Sequence, residues 1–372
     1  FELLLCHGTV CVVGKMRDLI LQLSKSSIYS TKPCFDVIRH AAAFLVMISH
    51  HFALNGLPEP KIFGSTKLGT LAVIIFFSIS GYLITSSFIN SKTTISYIKK
   101  RVLRIFPGLI ACSFIMTLLI FPFFGKNHSP IEWIASVNSI KSFIFFSLFG
   151  SPGSGDLVNG FTNNYVFPNS ANGSLWSLKF EFFDYIAIFI IFSIIKKPII
   201  ASLAFILISF TALTINSKFH LSDYYLYRTA AYSIPFAMGA LLFSTKHLWV
   251  NRKAAKAAMT VLSFSVLFIT GDKSELSLIV LTMVPVLVIC MGLSFRDTLI
   301  KGKFDISYGV YIYAFPVQQI ISNYMPNEFA MSLLSSFVTT TVLALISWFV
   351  VERRFLARKN KKINIPPGVI PS

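Results

Sequence analysis

The chain has 372 residues, of which 54% are hydrophobic and only 13% are charged. An ordinary soluble domain is about 25% charged, so this composition excludes a soluble globular protein and is typical of an integral membrane protein. The formal net charge of +18 is distributed over short Lys and Arg clusters between apolar runs, which does not predict the single basic face of a nucleic-acid-binding protein.

The N-terminal segment, residues 1–34, precedes the first long apolar run and lacks the charged, apolar and small-residue order of a signal peptide. Met16 is a candidate initiation site, which would make residues 1–15 an upstream translation artefact. The five cysteines show neither disulfide nor zinc spacing, so we expect no metal and no cysteine chemistry.

Apolar runs long enough to cross the hydrocarbon core recur through the rest of the chain and predict an all-α, polytopic membrane helix bundle of about ten transmembrane helices. The predicted spans are 37–55, 69–90, 105–124, 178–195, 198–216, 229–245, 254–270, 275–295, 305–324 and 328–350. The connection at 125–177 is rich in Asn, Gly, Ser and Pro, and its apolar stretch at 142–149 is too short to cross.

Lys and Arg then predict the orientation, because positively charged short loops stay on the cytoplasmic side of the membrane. With the N-terminus inside, 24 of the 33 basic residues fall in inner segments and seven in outer loops. We therefore expect both the N- and C-termini to be cytoplasmic, with residues 357–372 as a basic cytoplasmic tail.

The first span carries an arginine near its inner end and a histidine deeper in the membrane. Arg39 and His50 are eleven residues apart, so they share a helix face and are separated by about 16 Å along its axis. This arrangement suits an anionic cosubstrate that enters from the cytoplasm with its reactive end near His50. Alternatively, Arg39 is a snorkelling topological charge and His50 a hydrogen-bonded packing residue. His51 points elsewhere and is the weaker candidate.

A basic cluster stands at the cytoplasmic start of the third span. Arg101 and Arg104 are three residues apart and therefore neighbours on one helix face, where two guanidinium groups could grip a phosphate. The alternative is that the cluster only fixes the topology.

The outer end of the fourth span carries a polar stripe with helical spacing, formed by Ser174, Ser177, Glu181 and Asp184 or Tyr185. A carboxylate at Glu181 could orient an imidazole such as that of His50, accept its proton, or bind sugar hydroxyls. The stripe and the neighbouring Trp176 could also simply anchor the helix at the interface.

Two further spans differ from plain lipid-facing helices. In the second span, Ser78, Gly81 and Thr85 form a small-residue line, which predicts a tight helix contact. In the ninth span, Tyr311 and Gln318 share a face around Pro316, and such a broken helix often lines a cavity.

These segments, taken in chain order, resemble the acyltransferase-3 family of integral membrane acyltransferases, which includes bacterial O-antigen, exopolysaccharide and Nod-factor O-acetylases. The resemblance covers about 35–356, the expected membrane acyltransferase domain. It rests on six stretches: Asp36–Arg39 with His50, Phe76–Gly81, Arg101–Pro107, Leu175–Glu181, Ile306–Tyr311 and Val351–Phe355. Many relatives have a histidine where this chain has Ala314, so no role for that histidine is carried over.

The resemblance implies an enzyme that transfers an acyl group, usually acetyl from acetyl-CoA, to a hydroxyl of a cell-surface carbohydrate or lipid-linked glycan. The family's arginine and histidine fall on Arg39 and His50, its basic motif on Arg101 and Arg104, and its acidic position on Glu181. Our hypothesis is that His50 and Glu181 are catalytic and that Arg39, Arg101 and Arg104 bind acetyl-CoA. We expect the acceptor to contact Trp176, Ser177, Tyr311 and Gln318. We expect such a protein in the bacterial cytoplasmic membrane, among lipids and without a nucleic-acid partner. The alternative is a transporter or flippase for a lipid-linked sugar, although no internal repeat of the transporter kind is visible.

Overall fold

The computed structural model describes residues 33–91, 93–124, 129–149, 161–162, 164–218, 224–270 and 274–358. Met16 and the rest of the N-terminal segment up to residue 32 lie outside the described residues, as does the basic tail from residue 359 onward. Two of the seven outer cations, Lys126 and Lys273, also lie outside them.

The described residues form helices and one very short antiparallel hairpin. The first half of the chain contains α1 (Phe35–Leu54), β1 (Lys61–Ile62), β2 (Thr66–Lys67), α2 (Leu68–Ile89), α3 (Thr94–Ile115), the π-helical segment π1 (Met116–Ile120), α4 (Phe121–Phe124), α5 (Pro130–Ala135) and α6 (Val137–Ser147). The second half contains α7 (Trp176–Ile194), α8 (Pro198–Lys218), α9 (Tyr224–Ser244), α10 (Lys246–Trp249), α11 (Lys253–Thr270), α12 (Leu278–Ser294), α13 (Ser307–Tyr324), α14 (Phe329–Ser347), π2 (Trp348–Glu352) and α15 (Arg353–Arg358).

Each of the ten predicted spans coincides with a helix, so the all-α fold class is confirmed. Among the described residues, six helical stretches are long and apolar enough to cross a membrane. They are Phe35–Leu54, Leu68–Ile89, Thr94–Phe124, Pro198–Asn216, Lys253–Thr270 and Phe329–Ala357. The chain is therefore a multi-pass membrane protein.

Helices α7, α9, α12 and α13 correspond to the remaining predicted spans but are shorter or less apolar. Helix α12 has 17 residues, and α7 carries three charged groups, Lys179, Glu181 and Asp184. Helix α13 buries 14 of its 18 residues inside the protein. A helix that faces other helices does not need an apolar surface, so its lower hydropathy reflects a position inside the bundle.

Helix α2 is the most buried of the six apolar helices and crosses α9 at a backbone-to-backbone contact. A Cβ atom on Gly81 would lie 1.9 Å from the Phe236 carbonyl oxygen, and one on Gly239 would lie 2.2 Å from the Ser78 carbonyl oxygen. Only glycine permits this approach, and the small-residue contact predicted for α2 is thereby confirmed.

The same kind of contact joins α13 to α14. A Cβ atom on Gly309 would lie 3.0 Å from both the Cα and the Cβ of Ala344. The buried face of α14 is otherwise made of small hydroxyl residues, so it packs closely against its neighbours.

The long connection at 125–177 is only partly described. Its apolar stretch at 142–149 completes α6, which has 11 residues and is about 16 Å long at the usual helical rise. This length is too short to cross a core of about 30 Å, as expected. Nearby, the Trp133 indole Nε1 donates to the Thr117 carbonyl oxygen at 2.8 Å and ties this connection to π1, which follows α3.

Candidate active site

One cavity of about 460 Å³ lies among α1, α2, α3, α7 and α13. Its polar and charged lining consists of Arg39, Ser80, Ser87, Lys100, Arg101, Arg104, Ser177, Glu181, Tyr185, Asp305, Ser307, Tyr308 and Tyr311. Six of the nine site residues expected from the sequence therefore come together: the three arginines, Ser177, Glu181 and Tyr311. They belong to four different helices, so the convergence is a property of the fold.

The part of the cavity lined by α1 and α3 is cationic, and a carboxylate stands between two of its arginines. An Asp305 oxygen lies 2.6 Å from Arg104 Nη2 and 3.1 Å from Arg39 Nη2, and the Ser307 hydroxyl donates to the other Asp305 oxygen at 2.6 Å. Asp36 also contacts Arg39, at 2.5 Å. The charges of Arg39 and Arg104 are thus largely compensated by carboxylates of the protein itself.

Arg101 is in a different position. It donates to the Ser87 hydroxyl at 3.3 Å, and its guanidinium lies 5.8 Å from the centre of the Tyr185 ring. Among the described residues no carboxylate lies within salt-bridge distance of Arg101. Its charge, together with that of Lys100, is therefore the one most available to an anion in the cavity.

Glu181 lines the cavity beside a group of hydroxyl side chains. Its Oε1 accepts two hydrogen bonds of 2.6 Å, one from the Ser80 hydroxyl of α2 and one from the Tyr185 phenol one turn along α7. Two short donors hold one oxygen of this carboxylate in place, and its other oxygen is left to accept a bond from a bound molecule. A carboxylate fixed in this way can accept a proton or orient a hydroxyl.

Ser177 and Tyr311 form the second polar pair of the lining. Their hydroxyl oxygens are 2.6 Å apart, and the Tyr311 hydroxyl lies 2.9 Å from the Ser174 carbonyl oxygen, to which it donates. The pair joins α7 to α13, so the two polar motifs of the sequence meet here.

The polar stripe predicted on α7 divides between two faces. Ser177, Glu181 and Tyr185 line the cavity, whereas Asp184 is buried against α9 and accepts a hydrogen bond of 2.5 Å from the Ser233 hydroxyl. The stripe is therefore real, but Asp184 belongs to a helix contact outside the cavity.

His50 does not line the cavity. Its ring packs edge-on against Phe315 at 5.2 Å between ring centres, and Phe315 lies one turn along α13 from Tyr311. Tyr311 in turn contacts Phe76 at 5.6 Å. We call Phe76, Tyr311 and Phe315 the aromatic layer, since Phe76 and Tyr311 line the cavity and Phe315, one turn further along α13, contacts His50.

His51 has a separate, structural environment. It is fully buried, and its Nε2 lies 3.1 Å from the Phe329 carbonyl oxygen and 3.0 Å from the Ser332 hydroxyl. It ties α1 to α14, consistent with its weaker standing as a candidate.

Trp176 and Gln318, both expected to bind the acceptor, also lie outside the cavity. The Trp176 ring packs 5.3 Å from the Tyr232 ring, with the Arg228 guanidinium 5.6 Å from its centre. Gln318 is fully buried and donates to the Met47 carbonyl oxygen at 2.9 Å. Trp176 and Gln318 thus pack against other helices and do not line the cavity.

Sequence reasoning did not identify Ser80 or Asp305. Ser80 belongs to the Phe76–Gly81 stretch, which was interpreted as a packing face, although its spacing from Ser78 and Gly81 places it on another side of α2. Asp305 is the first residue of the predicted ninth span, but in the structure it lies in the loop before α13, where no helical period applies. The available sequence signal for Asp305 is that an acidic residue directly precedes the Ile306–Tyr311 motif.

Comparison with known proteins extends these observations to most of the chain. Residues 32–352 match the family described as "Acyltransferase domain". The O-acetyl transferase of Shigella phage Sf6 is 35% identical over 337 residues, which cover 89% of this chain and 98% of the relative. Nodulation protein 10 of Rhizobium leguminosarum bv. viciae is 25% identical over 346 residues, which cover 86% of this chain and 92% of the relative. No solved structure matches the chain significantly.

The family match spans all the helices that build the cavity, and a relative named for O-acetyl transfer is similar along nearly its entire length. The resemblance drawn from the sequence motifs is therefore confirmed. The chain belongs to the acyltransferase-3 family of integral membrane acyltransferases, and it is an O-acyltransferase.

Proposed function

We propose that this protein transfers an acetyl group from acetyl-CoA to a hydroxyl of a cell-surface carbohydrate such as a lipopolysaccharide O-antigen or an exopolysaccharide. The observation that carries the proposal is the single cavity that joins three arginines to a fixed carboxylate, Glu181, and to the hydroxyl pair Ser177 and Tyr311. A long anionic donor with a reactive end requires such a pairing of cationic and polar groups.

The donor end of the site is the cationic part. Arg101 forms no salt bridge within the described part of the chain. It binds a phosphate of acetyl-CoA, with Arg39 and Arg104 beside it. The acetyl end then points toward Glu181 and the hydroxyl pair.

Acetyl transfer requires a group that removes the proton of the acceptor hydroxyl as the hydroxyl oxygen attacks the thioester carbonyl. The carbon–oxygen bond forms, the carbon–sulfur bond breaks, and the proton leaves with the CoA thiol. His50 supplies this function, either as the base or by carrying the acetyl group briefly as an acyl-imidazole before the hydroxyl attacks. Glu181, on the cavity side of the aromatic layer, orients the acetyl end of acetyl-CoA.

The orientation in the membrane follows from the charge pattern. We propose ten spans with both termini in the cytoplasm of a bacterium, so that Arg39, Arg101 and Arg104 face the cytoplasmic pool of acetyl-CoA. His50, near the other end of α1, then lies toward the outer side, where the carbohydrate acceptor resides.

The test is a transfer assay in membranes that contain the protein. Radiolabel from acetyl-CoA should appear in the glycan, and His50→Ala should lower the rate about 10²–10⁴-fold, the usual contribution of a positioned acid–base group. A His50→Ala enzyme with the normal rate would refute the role of His50. Movement of the sugar without incorporation of label would refute acetyl transfer.

The acceptor is identified by comparing surface glycans of a deletion strain and its parent by mass spectrometry. Loss of one acetyl group per repeat would support the proposal, and loss of a larger acyl group would replace acetyl by that group.

A further inference from the structure

A second polar cluster lies at the outer end of α1, away from the cavity. Glu59, in the loop after α1, accepts a hydrogen bond from the Ser49 hydroxyl at 2.6 Å through Oε2. Its Oε1 lies 3.0 Å from Lys67 Nζ. The Glu59 side chain is only 17% exposed, whereas carboxylates are usually exposed.

The backbone around Glu59 is built to hold it there. The short hairpin β1–β2 returns the chain to the membrane, and the Leu68 amide at the start of α2 donates to the Pro60 carbonyl oxygen at 3.0 Å. A Cβ atom on Gly69 would lie 3.2 Å from the Ser49 hydroxyl oxygen and 3.7 Å from Glu59 Oε2. The absence of a side chain at Gly69 thus keeps room for the carboxylate beside α1.

Lys67 secures the other oxygen of Glu59. Burial alone would lower the pKa of Lys67, but the hydrogen bond and charge of Glu59, with the charge of Glu275, raise it above its ordinary value. Lys67 therefore stays protonated at physiological pH, and the ion pair fixes the direction in which Glu59 points.

His50 directly follows Ser49 on α1, so it lies one residue from the hydroxyl that binds Glu59. Its Nδ1 is buried and has no hydrogen-bond partner in the described part of the protein. An imidazole with an unused nitrogen, packed on the aromatic layer and one residue from the serine that anchors a carboxylate, has the composition of a proton-accepting site separate from the donor cavity.

We propose that Ser49, His50, Glu59 and Lys67 form the acceptor site, which binds a carbohydrate hydroxyl at the outer face, and that Glu59 is a positioning residue acting through His50. This proposal rests on the proposed function. When His50 takes the proton of the sugar hydroxyl, the imidazole becomes positively charged; the carboxylate of Glu59 favours that charged form, and the ammonium of Lys67 opposes it. Glu59 and Lys67 can also bind the neighbouring hydroxyls of the same sugar ring.

The test is Glu59→Gln, which keeps the shape and the hydrogen bond with Ser49 but removes the negative charge. The kcat for acetyl transfer to the glycan should fall about tenfold or more, a modest part of what acid–base catalysis supplies, while the KM for acetyl-CoA stays unchanged. Lys61→Gln is the matched control, because Lys61 is exposed on the same hairpin and its backbone pairs with Lys67. It should retain the wild-type kcat.

Ser49→Ala keeps the test independent of how well Glu59→Gln folds. It removes one hydrogen bond to Glu59 and should lower kcat about threefold to tenfold, again without a change in the KM for acetyl-CoA. An unchanged kcat in both variants, or a rise in the KM for acetyl-CoA equal to the loss in kcat, would overturn the acceptor site. Wild-type protein without any transfer of label would instead refute the proposed function itself.

Discussion

Two carboxylates line the same cavity but are stabilised by different partners. Asp305 lies between two guanidinium groups, at 2.6 Å from Arg104 and 3.1 Å from Arg39. Glu181 has no cation within salt-bridge distance among the described residues and is held by two hydroxyl groups. A carboxylate shared by two guanidinium groups mainly holds its helices and loop together, whereas one held only by neutral donors keeps its charge available to a bound molecule. From this comparison we expect a structural role for Asp305 and a chemical role for Glu181.

Of the substitutions that test this comparison, Glu181→Gln should have the largest effect on kcat. Because the amide can neither accept a proton nor carry the charge, we expect kcat to fall about 10²–10⁴-fold in the acetyl-transfer assay. Asp184→Asn is the matched control, since Asp184 is a buried carboxylate on the same helix outside the cavity. It should keep most of its activity. Equal losses in the two variants would mean that Glu181 acts only through the fold.

Asp305→Asn should affect stability before it affects chemistry. Removing one partner of a buried ion pair costs about 3–5 kcal/mol, and here two arginines lose their common carboxylate. Unfolding in detergent, followed by circular dichroism, measures the change in the free energy of unfolding. Glu328→Gln, which alters an exposed carboxylate between α13 and α14, should stay within about 0.5 kcal/mol of wild type. A normally stable Asp305→Asn protein with a lost kcat would reverse the comparison.

The smallest effect is expected for Arg101→Gln. Its guanidinium is the uncompensated one, so we expect the KM for acetyl-CoA to rise about tenfold, or about 1.4 kcal/mol, with kcat nearly unchanged. Steady-state kinetics over a range of acetyl-CoA concentrations measures this. Lys99→Gln changes an exposed cation on the same helix outside the cavity and should leave KM unchanged. If Arg101→Gln has no effect on KM, the phosphate is bound by the carboxylate-paired arginines instead.

The helices could be predicted from the sequence because each span is an apolar run of sufficient length, and tight contacts such as that at Gly81 follow from small residues at helical spacing. Helical spacing also placed Arg101 beside Arg104 and Ser177 beside Glu181, and these four residues do line one cavity. Within a helix, the sequence is sufficient to predict which side chains share a face.

What could not be predicted are contacts between distant parts of the chain. Glu59 comes from a loop, where no period indicates which way a side chain points, and Asp305, predicted to begin the ninth span, also lies in a loop. The same limit applies to His50: its depth in α1 follows from the helical rise, but Phe315, which covers it, is 265 positions further along the chain. Helical spacing predicts that Gln318 shares a face with Tyr311. In the structure, however, its side-chain amide donates to the Met47 carbonyl oxygen of α1.

The glycine contacts described above have a mechanical consequence. Helices α2 and α9 touch backbone to backbone at Gly81 and Gly239, and α13 approaches α14 closely at Gly309, so a side chain at any of these three positions would meet the neighbouring helix. Both α2 and α13 line the cavity. A side chain added at any of these glycines would therefore displace a helix whose residues shape the cavity.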